Sequence, residues 1–500
     1  MAKPSNYWDK RAIRRLTDAE KQGEAYSKQI QKMYDRAYKN IERDIENIYR
    51  NYSKATGLDV QSLKQLLTKT ETQKLWDELK AKGLDKYVKG NYKARISRLE
   101  KLQAQIYAKA KEIYPQEQQA NTMCYNGIIN DSYYKTIYDV QMGTGIDFAF
   151  SKIDDNMVTA LLNERWSGAN YSQRIWGNTD LLAQSVSEIV GGALLSGQSI
   201  AKTSRQIRER FNVGKYYADR LVRTETNHFN NEADAMAYAE MDVDKYVFLA
   251  VLDTRTSTIC QELDNNVFEL KDKQEGVNFP PMHPNCRSTT RAYMGEEIEK
   301  TLQRRARNPI TNKNEVIGNI SYKEWYNSKV KAYGQEGINK AYKMAKNRSA
   351  DTKQFNSYKS RLVDSPYLPT NIDKFVENKY NNIEKYSQLK REYATIGKIN
   401  KLSDNVERDK TTYYKFRNDK IEMSQHAIYD YHLRMYKKDG SNNYDYEKIR
   451  GIIKKPPNYI DTITNRNVNY YEGITIISEK NTKEIVSLWK GRLSKKWKAI

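Results

Sequence analysis

From the first turn of the chain, apolar side chains recur on a beat that a β-strand cannot use. Tyr26, Ile30, Met33, Ala37, Ile41, Ile45 and Ile48 step by three and four, and Ile96, Leu99, Leu102, Ile106, Ala110 and Ile113 repeat the step before Pro115. Lys, Arg, Glu and Gln fill the intervals, so each stretch predicts a long amphipathic helix with one buried face and a polar back. Residues 1–119 therefore read as a long helical region, and the fold class as mainly α.

Residues 120–300 continue the helical pattern and then change period. The segment 196–231 reads as a capped helix, a turn at Asn212–Gly214 and a second helix, the outline of a helix-turn-helix. KYVFLAVLD, 245–253, then reads as a buried strand, and VFEL, 267–270, as a short strand pairing with it. The prediction is a small αβ knot fed by a helix. Residues 301–409 are polar and weakly patterned, and read as a largely helical connector. From 410 the patterning returns, with a helix over Ser424–Lys437, a second over Asp445–Ile453 stopped by Pro456 and Pro457, and the strand-like runs YIDTI, VNYY, ITII and EIVSLW. That order predicts a separate small α+β domain over 410–500.

The balance of 85 Lys+Arg against 63 Asp+Glu gives +22, which suits a polyanionic neighbour: nucleic acid bound without sequence preference, or an acidic protein surface. Three cysteines, an odd number, argue against a disulfide framework and for a reducing compartment. The start, MAKPSNYWDKRAIRR, has no apolar stretch of the secretory type, and the runs YVFLAVL and IVGGALL are far short of the ~20 residues a membrane helix needs. A soluble protein made in a cytoplasm, with no membrane segment, is the expectation.

Three charged and polar clusters follow one another in the middle region: Arg223-Thr224-Glu225-Thr226-Asn227, then Asp253-Thr254-Arg255 running on to Cys260, then PPMHPNCRS over 280–288 with His283 and Cys286. In this order they closely resemble the MuF-type minor head, or head-morphogenesis, proteins of tailed bacteriophages, over roughly residues 1–300. The resemblance implies a low-copy capsid component inside the virion near the portal, with portal, capsid and scaffold proteins as partners, accompanying DNA packaging or ejection. It implies no enzyme activity for this region, and gives Arg223, Glu225, Asn227, Asp253 and Arg255 as its structural motif. Two readings of the thiols stay open. Cys260, His283 and Cys286 supply two thiolates and an imidazole that zinc would accept, although a closed structural site wants a fourth ligand. Alternatively, with no cofactor, His283 and Cys286 hydrogen-bond and pack as a clasp against the 245–252 strand, with Arg223, Glu225, Asp253 and Arg255 as ion-pair partners.

SQHAIYDYHLRMYKK places His426, Asp430 and Arg434 at intervals of four, on one helix face, whereas His432 joins Ile428, Tyr431 and Met435 on the apolar stripe. His426 is thus the better candidate for chemistry, and His432 fits a hydrogen-bonded core position equally well. The segment 415–500 resembles the RelE/barnase/colicin-like nuclease domains. That likeness implies RNA as substrate, with His426 (or His432) and Arg434 catalytic and Lys490 and Arg492 on the nucleic acid. Metal-independent cleavage needs a proton-transfer group near neutral pKa and cations on the phosphate, which these residue types supply. A purely structural virion protein with an inactive C-terminal binding module is the alternative.

Overall fold

The stripe around Ile30 folds as one helix, α1 (Tyr7–Ala55), in a computed structural model that describes residues 6–55, 63–81, 83, 85–87, 97–363, 365–434, 446–491 and 493–500. Ile30, Tyr34, Ile41 and Ile45 lose all solvent contact along it, and Tyr38 and Tyr49 extend the same face. After α2 (Lys69–Ala81), the second stripe gives α3 (Arg98–Lys111), opened by a capping box in which Ser97 and Glu100 satisfy each other's backbone N–H groups. Ile96 lies outside the described residues. Pro115 stands in the first turn of α4 (Ile113–Thr144), where the missing N–H costs nothing, so it opens a helix rather than ending one.

Two further helices, α5 (Asp155–Asn163) and α6 (Tyr171–Ser196), precede α7 (Ile200–Glu240). The turn expected at Asn212–Gly214 is absent, because α7 runs through it unbroken. Gly214 is there for packing: a Cβ would lie 2.8 Å from the Tyr34 ring. The helix-turn-helix outline therefore falls away. Helices α1, α4, α6 and α7 enclose two core clusters, one with Tyr125 and Phe229 and the other with Tyr34, Val186 and Phe211.

The second half of α7 looks hydrophilic in sequence and is nevertheless the most enclosed stretch of the chain. Glu225, Asn227, His228, Asn230, Asn231 and Asp234 are all buried. Each finds partners on neighbouring helices or loops: Arg15 Nε donates to Asp234 at 3.1 Å, and Ser132 Oγ donates to Asn230 at 3.0 Å. Buried polar groups are retained only when satisfied in this way.

The αβ knot follows. β1 (Lys245–Leu249) lies between β2 (Val267–Glu269) and β3 (Thr289–Ala292), antiparallel to both, and the short α8 (Thr258–Leu263) bridges β1 to β2. After α9 (Glu296–Thr301), a hairpin pairs β4 (Gln303–Arg307) with β5 (Asn314–Gly318). These elements belong to a unit spanning Met1–Ile338; a second unit spans Asn339–Ile500. The helical stretch α10 (Tyr322–Arg361), interrupted by the non-helical Gly334, carries the chain from one to the other.

In the second unit, α11 (Ile372–Asn381), α12 (Ile383–Leu402), α13 (Val406–Asn418), α14 (Gln425–Arg434) and α15 (Tyr446–Lys454) precede a five-stranded antiparallel sheet. Its strands are β6 (Tyr459–Asp461), β7 (Asn467–Tyr471), β8 (Ile474–Ser478), β9 (Ile485–Lys490) and β10 (Trp497–Ala499), in the order β10-β6-β7-β8-β9. Part of the segment read as connector enters this core. Phe355, Tyr358, Phe375, Leu389 and Ile396 are buried in one cluster with Ile428, Ile474 and Leu488. The helix read over Ser424–Lys437 is described to Arg434, and 435–445 lies outside the described residues. The chain is thus mainly α, with a small αβ knot and a separate small β-containing C-terminal region.

Candidate functional site

The three motif clusters converge on the knot through α7. Glu225, fully buried, accepts from Trp166 Nε1 at 3.1 Å and lies 3.3 Å from Arg174 Nη1. Burial pushes its carboxyl pKa up against the pull of nearby cationic groups. Asn227 donates to the Ser288 carbonyl at 2.8 Å, and Thr224 Oγ1 accepts from the Asn285 backbone N–H at 3.1 Å. One helix face therefore ties down the His283–Cys286 turn at Asn285 and the chain just after it at Ser288.

The charges pair differently from the sequence expectation. Asp253 is held by a two-pronged contact from Arg287, not chiefly by Arg255, whose Nε is 3.6 Å away on an exposed side chain. Arg223 pairs with Asp219 on its own helix at 2.9 Å instead of with Glu225 or Asp253.

Cys260, His283 and Cys286 do come together. The two Sγ atoms are 3.9 Å apart, and His283 Nε2 lies 3.5 Å from Cys260 Sγ and 2.8 Å from Ser257 Oγ. Ser257 caps α8, which points Cys260 inward, and the Cys286 N–H bonds to the His283 carbonyl at 3.1 Å. A hydrogen bond from the Cys286 thiol, opposed by burial, lowers the Cys260 pKa to about 6, while Cys286 itself is raised. A tetrahedral zinc with Zn–S of about 2.3 Å and Zn–N of about 2.0 to 2.1 Å requires S–S and S–N edges of roughly 3.8 and 3.6 Å. These two separations fit that ion, with a fourth ligand still to be supplied.

In the second unit the helix-face prediction is realised. Asp430, fully buried, lies 3.4 Å from His426 Nε2 and 3.2 Å from Arg434 Nε, and both of those side chains reach solvent. Ser487 Oγ donates to the same carboxylate at 2.5 Å and the Leu488 N–H at 3.3 Å, which anchors α14 against the edge strand β9. His432 is nearly buried, its Nε2 2.9 Å from Thr412 Oγ1 and 3.6 Å from Asp409, and burial lowers its pKa to about 4. It lines a cavity of about 460 Å³ with Glu407, Arg408, Thr411 and Thr412. Lys490 is exposed at the end of β9; Arg492 lies outside the described residues.

Sequence reasoning passed over two residues. Arg287 was legible only as part of a quoted motif, not as the partner of Asp253. His228, on α7, carried no signal beyond its spacing of four from Glu232.

Residues 184–291 match the family model described as Phage Mu protein F like protein. This segment is Mu F-like. It contains all of α7, β1, β2 and the whole thiol–imidazole turn, and the match supports a Mu F-like phage head protein. Among curated proteins, the NAD(+)–arginine ADP-ribosyltransferase EFV of Enterococcus faecalis (strain ATCC 700802 / V583) is 25% identical over 213 residues, 40% of this chain. The match spans 42% of that relative's length. No solved structure matches.

Proposed function

We propose that this chain is a minor head protein of a tailed phage that docks at the portal inside the capsid and carries its second unit as an effector delivered with the genome. The family match over 184–291 carries the first half of this reading. Exposed apolar side chains on the first unit support docking: Tyr138 and Met142 stand four apart on α4, and Ile146 and Phe150 are exposed in the segment after it. Exposed apolar groups of this kind mark protein contacts. No helix among the described residues is long and apolar enough to cross a membrane. The net charge of +22 suits sequence-indifferent contact with packaged DNA.

The effector reading rests on the division into two units and on the Asp430-centred face. His426 would move the proton, Arg434 would neutralise phosphate charge, and Asp430 would orient both, which is the donor set for RNA cleavage without a metal. The deciding experiment purifies the full chain with a phage portal ring and assays the same sample on RNA. Co-purification with RNA cleavage supports both halves; failure to bind any portal removes the first, and intact RNA removes the second. The named activity of the Enterococcus relative motivates one further arm, incubation with NAD(+) and arginine-containing acceptors. Transfer of ADP-ribose there would replace the nuclease reading.

A further inference from the structure

Outside the thiol turn, the Mu F-like unit contains a second cluster of metal-ligating side chains. His228 and Glu232, four apart on α7, share a face, and Glu275 approaches them from the loop before Phe279. His228 Nδ1 meets Glu275 Oε1, and one ligand atom from each of the three residues lies within 4.8 Å of the others. The imidazole has no exposed surface. It stacks on Trp166 with centroids 4.9 Å apart and an interplanar angle of 16°, and its Nε2 has no hydrogen-bond partner among the described residues. Lys273 Nζ donates to Glu232 at 2.6 Å from a side chain about one-third exposed.

The charges around this cluster do not balance. Glu225 is already matched by Arg174, which leaves Glu232 and Glu275 facing a single ammonium and an imidazole that burial holds neutral. The carboxyl groups of Glu232 and Glu275 adjoin, with a ligand oxygen of each within 4.8 Å of the other and of the imidazole. Two adjoining carboxyl groups and an imidazole converging in a largely buried recess are a donor set for a hard-to-borderline divalent ion.

We propose that His228, Glu232 and Glu275 form a binding site for a divalent transition-metal ion, distinct from the thiol turn, with Lys273 as a displaceable counter-cation. On binding, the Lys273 ammonium swings outward and the ion cross-links α7 to the 270–279 loop. Carboxylate and imidazole donors accept Mn²⁺, whereas thiolates select softer ions, so Mn²⁺ separates this site from Cys260–Cys286.

The test is Mn²⁺ titration of the full chain, following free Mn²⁺ by electron paramagnetic resonance. One equivalent should bind, persist in Cys260→Ser, and weaken at least about tenfold in Glu275→Gln, as loss of a ligand requires. Lys273→Met removes the competing ammonium and should tighten binding several-fold, which also covers the case in which Glu275→Gln fails to fold. No bound Mn²⁺ at millimolar concentration, equal affinity in Glu275→Gln, or unchanged or weaker affinity in Lys273→Met would each overturn the assignment.

Discussion

Arg287 grips Asp253 with two parallel hydrogen bonds, Nη1 to Oδ2 at 2.7 Å and Nη2 to Oδ1 at 2.8 Å, and so locks the chain after the turn to the chain after β1. Burial alone would raise the Asp253 pKa; the guanidinium overrides it and holds the carboxyl below its usual range. Because the folded pKa is depressed, the stabilisation is complete above the unfolded value near pH 4 and is lost as pH falls through the lower folded one. Asp253→Asn should cost about 2 to 3 kcal/mol at pH 7, since it strands a partly buried guanidinium. The deficit should shrink toward pH 3, measured by denaturant melts of both proteins at each pH. A pH-independent difference would rule out the ion pair as its source.

The sulfur–sulfur and sulfur–nitrogen separations match a zinc tetrahedron, so the full chain should carry about one equivalent of zinc that disappears in Cys260→Ser and in Cys286→Ser. Chelation should then lower the melting temperature of the native protein and leave both variants unmoved. If metal analysis finds none, the clasp alone operates. Cys286→Ala would then still cost about 1 to 3 kcal/mol through lost packing and hydrogen bonding.

His432 titrates in the opposite sense from a catalytic histidine near neutrality. Its folded pKa of about 4 lies below the unfolded ~6.5, so the unfolded chain binds more protons between those values. Stability of the second unit should therefore be fully present above pH 6.5 and fall by about 2 to 3 kcal/mol on acidification toward pH 4. His432→Gln, which keeps a partner for Thr412, should flatten that slope, and an unchanged slope would show that another group titrates there.

What the sequence made legible follows from periodicity. The stripe at Ile30–Ile45 buries one face, and the short β-branched and aromatic runs VNYY and ITII form strands, so local pattern alone announces helix and strand. The same logic fails on α7, where Glu225, Asn227, Asn230, Asn231 and Asp234 are buried because Arg174, Arg15, Ser132 and the turn backbone satisfy them; those partners lie far away in sequence. Gly214 misled for a related reason. A glycine inside a helix signals either a turn or a close approach, and only the Tyr34 ring decides between them. The thiol–imidazole grouping was legible because its members sit within one short segment plus Cys260. The His228 cluster was not, since Glu275 reaches it only through the folded loop.

The same contrast bears on the C-terminal face, where helical spacing placed His426, Asp430 and Arg434 together but could not reveal that Asp430 is buried beneath them. That burial makes Asp430 a rigid anchor: it accepts from Ser487 and Leu488 and holds both solvent-facing groups at 3.2 to 3.4 Å. If the face cleaves RNA, His426→Ala should lower the rate about 10² to 10⁴-fold, the usual contribution of general acid–base catalysis, with melting unchanged because the side chain is exposed. Arg434→Ala should also slow cleavage without unfolding the unit. Asp430→Asn should do both kinds of damage, reducing cleavage and destabilising the α14–β9 contact by about 1 to 3 kcal/mol. Cleavage should persist in EDTA. Activity that survives His426→Ala would move the chemistry elsewhere, and a folded full chain inert toward RNA under all conditions would leave this face a structural anchor for the edge strand.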